Sequence, residues 1–99
     1  MIEVQIFADR MQVFDGAKEV TVTPDADYAT RRLLVGEFVP AVDCLKAGLK
    51  QIGVTGLFKR KPPLRIRAME MREGGLCAVE QRVLQEVGLA AGGRSVELV

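Results

Sequence analysis

Near residue 40 the spacing of apolar residues changes from two to between three and four. That change constrains the fold of this chain more than any other feature. Ile2, Val4 and Ile6 alternate with Glu3 and Gln5, the period of a half-buried strand. After a polar turn at Ala8-Asp9-Arg10, Met11–Phe14 resumes the pattern, and Lys18–Thr23 adds a third β-rich run that Pro24 stops. Asp15-Gly16 separates the last two runs, with Gly supplying the positive φ that tight hairpin turns need. The first quarter therefore reads as an antiparallel meander. Arg31–Val35 has consecutive apolar residues, which suit a buried strand or a helical turn; it is read here as a strand.

From Pro40 onward, Val42, Leu45, Leu49 and Ile52 form the stripe of an amphipathic helix. Pro40 suits the first helical turn and Gly53 the end. Gly53–Pro63 is a loop, and Leu64, Ile66 and Ala68 alternate with Arg65 and Arg67 as a further strand. Beyond Gly74-Gly75, a second stripe of Leu76, Val79, Val83 and Val87 predicts a helix whose valines face the sheet, running to Gly92-Gly93. Ser95–Val99 closes the chain as a short strand. Leaving the ambiguous segment aside, the order is β-β-β-α-β-α-β, a mixed α/β chain. Its two crossovers set parallel strands beside the meander. Residues 1–99 make one such domain, since a second would need more chain.

Composition narrows the chemistry. The chain has no His and no Asn, and Ser95 is its one serine. That excludes His-dependent triads, His-ligated metals and imidazole acid–base catalysis. Carboxylates, lysines, Cys44 and Cys77 remain, in no catalytic or metal-ligating pattern, so the chain is read as a non-enzyme without a cofactor. Ile2–Ile6 alternates instead of forming the apolar run of a signal peptide. No segment approaches the ~18 apolar residues of a membrane span. The expectation is a cytoplasmic protein with reduced thiols.

Charge is uneven along the chain. Residues 59–72 carry six basic residues against one acidic, whereas 1–58 and 73–99 are each net −2. Lys59-Arg60-Lys61 beside Phe58, with Arg65 and Arg67, is a candidate anion or nucleic-acid surface over residues 58–67, with the aromatic available for stacking. An overall charge of +1 favours a solvated loop instead, because nucleic-acid modules usually carry a larger basic excess.

Gly75-Leu76-Cys77-Ala78-Val79-Glu80-Gln81-Arg82, with Ala91-Gly92-Gly93-Arg94-Ser95-Val96-Glu97-Leu98-Val99 after it, resembles the bacterial actin homologue MreB. Gly75, Leu76, Val79, Glu80 and Arg82 match a helix start of that family. Ala91, Gly92, Arg94, Val96, Leu98 and Val99 match its following strand. Met11–Val22 and the helix from Val39-Pro40-Ala41 to Ile52 resemble earlier family elements. The resemblance implies one subdomain of the actin-like, ribonuclease-H-like fold. In that family an Asp-Leu-Gly-Thr turn cradles nucleotide phosphates, because Gly lets backbone N–H groups approach them. The matching turn here is Phe7-Ala8-Asp9-Arg10-Met11, without glycine, and the second phosphate turn is replaced by Met71-Arg72-Glu73-Gly74-Gly75. Nucleotide binding is therefore not expected. Asp9 is read as a turn-former, Gly74-Gly75 as a flexible turn, Cys44 as packing, and Cys77 with Glu80 as the start of a helix.

The function expected from these readings is a non-catalytic, MreB-like cytoskeletal or protein-interaction module, tied to cell shape by the resemblance alone. The alternative is a small nucleic-acid-binding protein. With both helices on one sheet face, the other face would be bare, exposing Arg65, Arg67, Met69 and Met71 with Phe7 or Phe14. Val99 lies on the terminal edge. A homodimer through that face or edge is the expected partner arrangement.

Overall fold

Strand alternation gathers one apolar face. β1 (Ile2–Ile6) contributes Ile2, Val4 and Ile6; β2 (Met11–Phe14) contributes Met11 and Val13; and β3 (Glu19–Val22) contributes Val22. Leu64, Ile66 and Ala68 join them from β4 (Pro63–Ala68). The computed structural model that shows this describes residues 1–31, 33–56, 59–70 and 75–99. The sheet order is β3-β2-β1-β4-β5, with β5 spanning Ser95–Leu98. β1, β2 and β3 form the antiparallel meander, while β4 runs parallel to β1 and β5 parallel to β4. The β-β-β-α-β-α-β order expected from the sequence is the order of the fold.

Both helices cover the apolar face. α1 (Phe38–Ile52) packs on β2 and β3, and α2 (Ala78–Ala90) packs on β4 and β5. Gly48 brings α1 against the Val13 and Val22 side chains, and Gly88 brings α2 against Val96, Ile66 and Leu64. Val42, Leu45, Leu49 and Ile52 are all buried, so the first stripe faces the sheet as its spacing requires. α1 begins two residues before Pro40, which still lies in the first turn, where its missing N–H leaves no bond unmade. Gly53 closes the helix in the left-handed region (φ 85°), its N–H donating to the Leu49 and Lys50 carbonyls.

Two expectations are corrected here. The described residues of Arg31–Val35 are not strand: Leu34 and Val35 form a buried turn, the Tyr28 carbonyl accepts hydrogen bonds from the Gly36 and Glu37 N–H groups, and Arg32 lies outside the described residues. Leu34 and Val35 are buried by a loop folding back on itself, while Leu33 is exposed. Val79 does not face the sheet either. It is 71% exposed, and the buried side of α2 is Leu84, Val87 and Gly88, continued by Ala91.

Two buried polar groups tie the layers together. The Tyr28 hydroxyl lies between the carbonyl oxygens of Phe7 and Arg10 (2.7 Å to Arg10), so its proton anchors the β1–β2 turn. Burial pushes its pKa up from the ordinary phenol value. The Cys44 thiol donates to the Val22 carbonyl at 3.6 Å, and burial raises its pKa to about 11. Cys44 is thus a packing residue bridging α1 and β3. Cys77, also a free thiol, caps α2. Its N–H donates to Glu80 Oε1 at 3.4 Å, while its sulfur receives a backbone N–H of the first turn.

Candidate interaction surfaces

Among the described residues, no helix covers the second face of the sheet, and that face is largely polar. Strand register lays Glu19, Phe14, Glu3, Arg65 and Glu97 in one row across it. Arg65 reaches Glu3 at 3.7 Å and Glu97 at 3.6 Å, so its charge is shared between two carboxylates. The neighbouring row is Thr21, Gln12, Gln5 and Arg67. Phe7 and Phe14 sit at opposite ends of β1, because Phe14 pairs with Glu3 while Phe7 follows Ile6. Phe7 is capped by the Arg10 guanidinium 3.9 Å above its ring. Phe14 therefore lies away from Met69, whereas the pairing of Ile6 with Ala68 sets Phe7 at the same end of the sheet as Met69. Met69 is exposed beyond the end of β4, with its N–H donating to the Ile6 carbonyl. Val99 is exposed beside β4, donating to Ile66. Met71 lies outside the described residues.

Lys59, Arg60 and Lys61 are exposed at the opposite edge, ahead of β4. The Lys59 ammonium donates to the Gly53 carbonyl at the end of α1, a helix-capping contact that uses one of the three cations. The Arg94 N–H donates to the Pro62 carbonyl at 2.8 Å and brings a further exposed cation to this edge. Phe58, the proposed stacking partner, lies outside the described residues.

Backbone N–H groups of the Phe7–Arg10 turn are bonded within the chain itself. The Phe7 N–H donates to the Arg10 carbonyl at 2.9 Å, and the Ala8 N–H donates to a Glu70 carboxylate oxygen at 2.5 Å. Asp9 pairs with its neighbour Arg10 at 2.8 Å.

The apolar surface that sequence reasoning missed lies on the outer side of the helix layer. Leu33, Phe38 and Val79 are exposed there, with half-buried Leu76 and Val83 beneath them. Phe38 begins α1 and Val79 begins α2, so packing of the two helices brings their first turns together. A shallow groove of about 310 Å³ runs between Phe38, Val79 and Val83 and is rimmed by Arg82 and Glu86. The consecutive Leu33–Val35 run was the signal for this surface, obscured by its reading as a strand.

No protein-family model matches the chain. Over 92 residues it is 30% identical to the uncharacterized protein YjaA of Escherichia coli (strain K12), a match spanning 88% of this chain and 72% of that relative. At that identity and coverage, the chain belongs to the family of YjaA.

Proposed function

We propose that this protein is a cytoplasmic, non-catalytic protein-interaction module, an MreB-like, actin-like subdomain without nucleotide machinery that works by self-association. The observation that carries the reading is the exposed apolar cluster of Leu33, Phe38 and Val79 over the first turns of both helices. Large apolar side chains gathered at one place on the surface mark a contact site. The self-bonded Phe7–Arg10 turn supports the same reading, since its amides serve the chain's own carbonyl and carboxylate. Sedimentation equilibrium of the unmodified protein is the test. The expected result is a concentration-dependent rise in mass above the 10.8 kDa chain. A constant monomer mass up to about 1 mM, where even weak association of a few kcal/mol registers, would sink the self-association reading.

A further inference from the structure

The outer face of α2 carries a pattern that selects its own occupant. Val79, Arg82, Glu86 and Leu89 are spaced three, four and three residues apart, the spacing of a coiled-coil seam. All four are exposed, Val79 at 71% and Leu89 at 45%, and they lie opposite Leu84, Val87 and Gly88 on the core side. Among the described residues, neither Arg82 nor Glu86 takes part in an ion pair; those present join Arg10 to Asp9 and Arg65 to Glu3 and Glu97. The seam thus has apolar ends and two unspent opposite charges at its middle.

That order is complementary to itself in only one direction. Two α2 helices running parallel would set Arg82 against Arg82 and Glu86 against Glu86. Running antiparallel about a two-fold axis at the level of residue 84, Arg82 meets Glu86 of the second copy, twice. The same register sets Val79 opposite Leu89 of the second copy. Leu89 then enters the groove between Phe38, Val79 and Val83. Resting on the self-association reading above, we infer that a second copy of this chain covers α2, forming an antiparallel two-fold dimer along Val79, Arg82, Glu86 and Leu89. Its interface is the helix layer, not the open sheet face or the β5 edge. A two-fold contact uses the same patch on both chains, which is what a self-complementary seam supplies. A seam on one helix is smaller than the roughly 1,200–2,000 Å² that stable complexes bury, so the dimer is weak.

The test is sedimentation equilibrium of four variants beside the parent chain, with circular dichroism melts to show that each folds. Arg82→Glu, Glu86→Arg and Leu89→Asp are each expected to weaken dimerisation about tenfold or more, the first two because like charges then face each other twice across the axis and the third because a carboxylate replaces the apolar contact with Val79. The double variant Arg82→Glu/Glu86→Arg is expected to recover most of the parent affinity; parallel pairing faces like with like in the parent and in every charge variant, and so gives neither the loss nor the recovery. A dimer indifferent to all four variants overturns this inference while leaving self-association standing through another surface. A parent that stays monomeric up to about 1 mM overturns both.

Discussion

Truncating Leu49 to Ala is expected to destabilise the protein by about 2–5 kcal/mol, measured by urea unfolding of the parent and variant chains. Leu49 is fully buried on the sheet side of α1, and its neighbour Gly48 holds that helix within contact of Val13 and Val22. Close approach on both sides leaves little freedom for the surroundings to collapse into the space, so both the transfer and the cavity costs apply. Against the ~5–15 kcal/mol that a domain holds in total, this is among the largest single-site losses available. A loss under ~1 kcal/mol would contradict the packing of α1 on the meander.

Gly88→Ala is expected to destabilise by about 1–3 kcal/mol, against the sign that helix propensity alone dictates. In an exposed helix interior, replacing Gly by Ala gains about 0.5–1 kcal/mol. At Gly88, however, an added Cβ would sit 2.4 Å from Val96 Cγ2 and 3.0 Å from Ile66 Cδ1. Val96 is β-branched and stiff about χ1, so it does not swing aside without cost. The helix must lift from β4 and β5, loosening every contact that α2 makes with the sheet. Gly56, where an added Cβ meets nothing within 4 Å, is the control and should change stability by less than about 0.5 kcal/mol. Equal or greater stability for Gly88→Ala would contradict the seating of α2.

The contrast between the two helices shows what the sequence makes legible. Val42, Leu45, Leu49 and Ile52 step by three, four and three residues and keep to one side of the helix, so their common burial could be read directly. Val79, Val83 and Val87 step by four each time. Four residues exceed one 3.6-residue turn, so each step winds about 40° further around the helix. Val87 ends in the core and Val79 in solvent. The closest approach of α2 belongs to Gly88, which a hydrophobicity pattern does not register. Leu33–Val35 failed for a different reason: a run of consecutive apolar residues has no period from which to choose a secondary structure.

The surfaces were less legible than the core. Strand alternation placed Arg65 and Arg67 on the outer sheet face, but cross-strand register is not encoded within one strand. That Glu3 and Glu97 would flank Arg65 followed only once β1, β4 and β5 were paired. Nothing in the residue order separates the members of the basic triplet, yet Lys59 serves as a cap for α1. The α2 seam is present in the residue order, but the valine spacing of the same helix points to a competing stripe toward the core. Once that stripe is corrected, Arg82 and Glu86 become the centre of an outward face.

The most direct test of the interaction surface is a backbone amide spectrum of the ¹⁵N-labelled parent protein, recorded from about 20 µM to about 1 mM, the range of weak association. The account predicts concentration-dependent shifts clustered at Phe38, Val79, Arg82, Glu86 and Leu89, with the outer-face residues Glu3, Arg65 and Glu97 unmoved. Shifts centred instead on Ser95–Val99 or on Lys59–Lys61, with α2 unchanged, would contradict it.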